Sequence, residues 1–360
     1  NGKAYSSGGS SANITSENYS KFSTMLIRAL DEIKNSHGIS FRYLSPFNEP
    51  QWDWNGAGQE GSPWNNIEMS AMLKILNNDL VASSHINTLI EIPEAAQLNF
   101  LYSGDLNSGR DDQVDAFFNP SNTSTYIGNI SRVTKKVAGH SYFTTWPLTN
   151  FVETRSKLNQ KLGEYSTLGF EMTEYCPLEN NADIVGNGRD LGMDLALYGA
   201  RVMHVDLTVA DAMSWSWWLA ISPYDYKDGL VYIDKSTTDG RVFDSKMLWA
   251  LGNYSRFVRP GYQRVTVSRS DLRTVEQTLE GVMVSAFVDP ISNKTVSVVI
   301  NHSANNVPLN IELLNNKNRS WKYYRTSDVP EEDLKYMGIY TSGSPTDIPP
   351  RSITTFLQQD

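Results

Sequence analysis

Through roughly its first 260 residues the chain switches back and forth between two hydrophobic periods, and this alternation narrows the fold more than any other feature. The helical period is clearest in "YSKFSTMLIRALDEIKNSHG". There Tyr19, Phe22, Met25, Leu26, Leu30 and Ile33 share one stripe and Gly38 can supply a left-handed stop, so a helix is expected over about 17–36. It recurs at Met69, Met72, Leu73, Leu76 and Leu80, at Leu191, Leu195, Tyr198, Val202 and Val205, and at Met247, Leu248, Leu251, Tyr254 and Val258. The strand-like runs are "FRYLSPF" (41–47), "NTLIEI" (87–92), "VAGHSYF" (137–143), "LGFEMTEY" (168–175) and "AMSWSWWL" (212–219). Strands alternating with helices imply parallel βαβ units. From about residue 262 the texture changes to short β-rich runs separated by turn residues: "RVTVSRS", "GVMVSAFVDP", "TVSVVINHS", "NIELL", "WKYYRTS" and "ITTFL". These predict a small antiparallel β-sandwich.

The expected organisation is thus an α/β body over 1–258 and a β-sandwich over 259–360. The body offers five strand–helix units, whereas a closed (β/α)8 TIM barrel needs eight of about 30 residues each. Two readings are open at this point: an open doubly wound sheet, or a barrel whose first three strands precede this sequence, so that the chain starts just before strand 4. With 40% apolar residues the chain can bury a sizeable core, and its net charge of -9 argues against nucleic acid or an anionic membrane surface as partner. A neutral ligand fits better, and many of the 9 Trp and 18 Tyr stand beside polar loop residues, where they could stack on it.

Cys176 is the one cysteine, which excludes an internal disulfide and a cysteine metal site, and the five histidines form no HExxH pair; neither metal nor cofactor is expected. Sequons at Asn13, Asn18, Asn122, Asn129, Asn253, Asn293, Asn301 and Asn318 predict a secreted glycoprotein with those asparagines on its surface. There is no apolar run of membrane-spanning length.

Glu49 and Glu174 each follow directly on a strand-like run, and in a parallel barrel the reacting groups project from the carboxyl ends of strands. An opposed pair of carboxylates is what glycosidic cleavage requires: one protonates the leaving oxygen while the other attacks the anomeric carbon or activates water, and a spacing of about 5 Å selects the attacking, retaining route. At that distance one partner is kept protonated near neutral pH. Asp53, Glu60, Glu91, Glu94, Glu171, Asp225 and Asp228 also flank strand ends and compete for such roles. Alternation sets Phe170, Met172 and Glu174 on one face of their strand and Glu171 on the other.

"SPFNEPQWDW…QEGSP" resembles the fourth-strand motif of retaining (β/α)8 glycoside hydrolases, and "EMTEYC" resembles their seventh-strand segment. Together with "HSYF", "SWSWWLAISPYDYKDGLVYID", "FVRPGYQRV" and a sandwich ending "IPPRSITTFL", the whole chain is similar to glycoside hydrolase family 30. The resemblance implies Glu49 as acid/base, Glu174 as nucleophile, and Asn48 on the sugar hydroxyl beside the anomeric carbon. It also implies His140 or Tyr142 orienting or contacting the nucleophile, Trp217 or Trp218 flooring the cleavage subsite, and Trp52, Trp54 and Trp64 as a wall on the acid/base side. The partner so implied is a β-linked polysaccharide or oligosaccharide, and the full-length protein is expected to be a monomer.

Within the family the "QWDW…QEGSP" loop looks most like the endo-β-1,6-galactanase branch. The glucuronoxylan branch grips its uronate with an arginine after the eighth strand, where this chain offers only Lys227, which lacks the planar fork. Xylan, β-1,6-glucan, a β-fucoside and a glucosylceramide-like substrate are the alternatives. Two other classes compete: a non-catalytic carbohydrate-binding protein, which has no use for opposed carboxylates, and a nucleotide-binding protein leaning on "GNGRDLG" (186–192), whose spacing is not the dinucleotide fingerprint.

Overall fold

The computed structural model describes residues 12–55, 59–85, 87–104, 109–313 and 319–359. Five strands pair in parallel: β1 (Tyr43–Leu44), β2 (Leu89–Ala95), β3 (Val133–His140), β4 (Gly169–Glu174) and β5 (Ala212–Trp215). Their order across the sheet is their order along the chain. A doubly wound sheet reverses direction partway, so an unreversed run decides between the two readings: this is the singly wound wall of a (β/α)8 barrel, five strands of it among the described residues.

The helices form where the stripes predict. Asn65 begins one with a capping box, its side chain accepting from the Glu68 N–H at 2.9 Å while the Glu68 carboxylate accepts from the Asn65 N–H at 3.0 Å. The helix that follows (Asn66–Ala82) seals Met69, Met72, Leu73, Leu76 and Leu80 completely, each worth about 2 kcal/mol of burial. Tyr19–His37 ends, as expected, on left-handed Gly38, although Met25 of its stripe is exposed. The helix Met193–Thr208 is buried on nearly every side, and a helix buried all round shows no stripe. Leu191, read as part of one, lies outside it and is exposed. The strand expected over 41–47 shrinks to Tyr43–Leu44, and Pro46, just beyond it, has no N–H to donate to a ladder.

By compactness the chain forms two units that interleave along the sequence. The first comprises Asn1–Thr144, Glu153–Tyr175 and Val209–Ser216, and holds all five parallel strands. The second comprises Thr145–Val152, Cys176–Thr208 and Trp217–Asp360.

The second unit contains the sandwich. Six antiparallel strands run in the order Lys335–Thr341, Ser320–Ser327, Ser352–Gln358, Thr295–Asn301, Val282–Val288, Gln263–Val265, and a two-stranded ribbon joins Val307–Leu309 to Thr346–Ile348. Val282, Val299, Trp321, Tyr340, Ile348 and Phe356 make the core between them. "NIELL" (310–314) was expected as a strand, but the strand before it ends at Leu309, Leu313 makes only an isolated bridge, and Leu314 lies outside the described residues. The strand Lys335–Thr341 was not expected. Its alternation is broken by Gly338 at φ 116°, where the register against Ser320–Ser327 slips and Met337 is left over as a bulge.

Two sequons are not acceptors in the folded protein. Asn253 and Asn301 are fully buried. The Asn301 amide donates to the carbonyls of Asn305, Ile348 and Pro349 at 2.8, 3.0 and 2.9 Å, tying the ribbon to the large sheet. Removing that amide strands buried carbonyls at a cost of about 1–3 kcal/mol each, so Asn301→Ala is expected to lose about 3 kcal/mol in denaturant unfolding. A midpoint indistinguishable from the parent would refute this role.

Candidate active site

Each of the first four parallel strands delivers a polar group at its carboxyl end. Beyond β1 comes Glu49, late in β2 comes Glu94, β3 ends on His140 and β4 ends on Glu174. Their pairing brings the four together. The His140 Nδ1 lies 2.9 Å from Glu49 Oε1 and 3.8 Å from Glu174 Oε1, and its Nε2 lies 3.5 Å from Glu94 Oε2. Glu49, His140 and Glu174 present atoms that all fall within 4.8 Å of one another. The Tyr142 hydroxyl donates to Glu174 Oε1 at 3.0 Å.

The backbone is held as tightly as the side chains. Glu49 has φ 46° and Glu94 φ 58°, left-handed values that cost a residue with a Cβ on the order of 1 kcal/mol or more each. The two are joined directly, the Glu49 N–H donating to the Glu94 carbonyl at 2.9 Å. The Trp54 indole donates to the Glu49 carbonyl at 3.1 Å and fixes the other side of the same residue.

Toward the middle of the strands a second polar layer forms. Lys136 pairs with Glu171 and donates to the Tyr43 hydroxyl at 3.0 Å, while Glu171 bonds to Glu91. Burial, then the hydrogen bond and charge of Glu171, push Glu91 up to about 9, so Glu91 carries a proton at neutral pH and Glu171 is the ionised partner of Lys136. These carboxylates are structural partners of one another.

In the upper layer, burial pulls the His140 imidazole down, but hydrogen bonds to Glu49 and Glu94 and the charge of Glu174 outweigh it and raise it to about 9. It is therefore an imidazolium at neutral pH. Each ring nitrogen faces a carboxyl oxygen, Nδ1 that of Glu49 and Nε2 that of Glu94. Glu174 is raised above the usual carboxylate range, chiefly by burial and further by the charge of Glu49; His140 and the Tyr142 hydroxyl oppose the rise.

The remaining sequence-predicted residues divide. Asn48 is exposed beside Glu49, and Trp54 is half-buried. Trp64 is no part of a wall: it is buried in an aromatic cluster with Tyr19, Phe22 and Phe47. Trp52 stands edge-on to Phe100. β5 stops at Trp215, so Trp217 and Trp218 lie beyond the strand and in the second unit, where the Trp217 indole donates to the Asp228 carbonyl at 2.7 Å. Lys227 is committed to the carbonyls of Asn187 and Gly188 at 3.1 and 2.9 Å, which removes it as a uronate grip. That contact, with left-handed Gly188, also accounts for "GNGRDLG" as a braced turn. Asp53 pairs with Arg110. Phe170 and Met172 are fully buried while Glu171 and Thr173 make polar contacts; Glu174 leaves the alternation at the strand end, where the register with β3 shifts between Gly139 and His140. Glu94 was one competing carboxylate among seven. Its signal was present in "EIPEA", an acidic residue closing a strand beside two others that do the same.

Two family models match the chain: O-glycosyl hydrolase family 30 over residues 1–232 and the glycosyl hydrolase family 30 beta sandwich domain over 261–356. A conserved exported protein from Bacteroides fragilis is 27% identical with a TM-score of 0.89, over 98% of this chain and 72% of that one. A family 30 endoxylanase from Clostridium papyrosolvens C71 is 19% identical with a TM-score of 0.65, over 96% and 72%. An endo-β-1,6-glucanase is 16% identical with a TM-score of 0.59, over 95% and 63%.

Proposed function

Because the chain belongs to glycoside hydrolase family 30, we propose that it cleaves a β-linked polysaccharide by double displacement, Glu174 attacking the anomeric carbon and Glu49 serving first as acid and then as base. The observation that carries this reading is the approach of the Glu49 and Glu174 carboxylates to within 4.8 Å, Glu174 ending β4 and Glu49 lying in the segment after β1. That is the short spacing of a retaining pair; an inverting pair needs room for a water and stands about 6.5–9.5 Å apart.

In the first step the Glu49 proton passes to the glycosidic oxygen as the Glu174 oxygen bonds to the anomeric carbon. In the second, Glu49 takes a proton from water, which displaces Glu174. Attack requires an ionised Glu174, and the Tyr142 O–H and the His140 cation both favour that state. Asn48 is placed to meet the neighbouring sugar hydroxyl, with Trp54, His140 and Tyr142 completing the binding surface in this reading. Residues 1–258 act as the catalytic body and 259–360 as its sandwich side domain. The substrate we assign is β-1,6-galactan, cut internally, on the likeness of the "QWDW…QEGSP" loop. The full-length protein works outside the cell as a monomer in this reading; among the described residues no helix is long and apolar enough to cross a membrane.

The test is incubation with β-1,6-galactan, glucuronoxylan and β-1,6-glucan, with the products sized. Short galacto-oligosaccharides are expected. Cleavage of another glycan alone would replace the substrate, and cleavage of none would remove the hydrolase reading.

Tyr142→Phe provides a narrower check. It deletes a hydrogen bond that lowers the Glu174 pKa, so that pKa rises and the acidic limb of the kcat/KM profile moves to higher pH, with a loss of about tenfold at low pH. An unmoved limb would contradict the role of that hydroxyl.

A further inference from the structure

We propose that Glu94 is a positioning residue: it keeps His140 protonated on both ring nitrogens, and the resulting imidazolium, clamped between Glu49 and Glu94, holds the reacting pair in register and offsets its charge. The kinetic half of this inference rests on the reading of Glu49 and Glu174 as that pair; the spectroscopic half does not.

The geometry suits a doubly protonated ring. His140 is buried, with Nδ1 facing Glu49 at 2.9 Å and Nε2 facing Glu94 at 3.5 Å. A neutral imidazole has one N–H, so either tautomer would leave one ring nitrogen without a proton to give the carboxyl oxygen it faces. Glu94 is immobilised for this task. Its Oε1 accepts from the Ser45 hydroxyl and its Oε2 from the Thr173 hydroxyl, each at 2.5 Å. Those two donors come from the segment after β1 and from β4, so three chain segments fix one carboxylate. Its own carbonyl receives the Glu49 N–H. Glu94 thus reaches Glu49 by two routes, one through the backbone and one through the ring.

The charges around the ring are Glu49, Glu94 and Glu174, with the Tyr142 ring edge-on at 5.8 Å between centroids. Glu91 is the further acid near Glu94, and it is protonated at neutral pH. Glu94 is therefore the carboxylate that faces Nε2, while Glu49 and Glu174 lie on the Nδ1 side. Deleting the Glu94 charge leaves Glu49 and Glu174 to hold the second ring proton alone.

The experiment is nitrogen-15 NMR of histidine-labelled protein, without substrate, for the parent and Glu94→Gln. In the parent both ring nitrogens of His140 stay protonated until about pH 9. In the variant the second proton is expected to leave at least about one pH unit lower, a tenfold change in affinity. With substrate, kcat is expected to fall about tenfold or more while KM changes less than about twofold, and the alkaline limb to move down. A neutral His140 in the parent at pH 7, or an unchanged titration in Glu94→Gln, overturns the proposal. The parent measurement stands even if the variant does not fold. Failure of all three glycans to be cut leaves this titration intact and removes only the catalytic reading.

Discussion

Glu174→Ala is expected to lose at least about 10,000-fold in kcat while still binding oligosaccharide, because covalent catalysis has no route without the attacking oxygen. The side chain ends β4 at the meeting point of Tyr142, His140 and Glu49. Alanine opens space where the carboxylate stood. Azide entering that space is expected to restore turnover and to release a glycosyl azide of the opposite anomeric configuration, since only one displacement then occurs. Retention of more than a tenth of the parental rate would end the assignment, and so would azide rescue giving the unchanged anomer.

Glu49→Gln is expected to separate substrates by their leaving groups. Polysaccharide, whose departing alkoxide needs a proton, should slow by about 1,000-fold or more, whereas an aryl glycoside with an acidic phenol should lose far less in the first step. The amide keeps the size of the carboxyl and can still accept from the His140 Nδ1–H, so a large loss reads on proton transfer and not on collapse of the site. Equal losses on both substrates would contradict the acid role.

How much of this was legible in the sequence can be traced residue by residue. Glu49 and Glu174 stood out because each ends a strand-like run, and the period that marks a strand is local. Glu94 ends a strand too, yet its meeting with His140 depends on the register of β2 with β3, which no local pattern encodes. Trp64 looked like a sugar platform since an aromatic in a proline-rich loop reads alike whether it turns in or out; Tyr19 and Phe22, the partners that turn it in, lie more than 40 residues upstream. A sequon likewise records chemistry without depth, and Asn253 and Asn301 needed the sandwich to close over them. The barrel reading, by contrast, required only the order of five parallel strands, because sequence neighbours became sheet neighbours. The bulge at Gly338 hid a strand for the converse reason: one extra residue breaks a period-two pattern.

The left-handed backbone shared by Glu49 and Glu94 sets a limit on how rugged this protein can become without losing its chemistry. Glycine at either position would relax the main chain and delete a carboxylate in the same stroke, so selection for heat tolerance and selection for turnover oppose one another at two residues that are bonded to each other. Thermal hardening is better sought in the sandwich, far along the chain from that conflict.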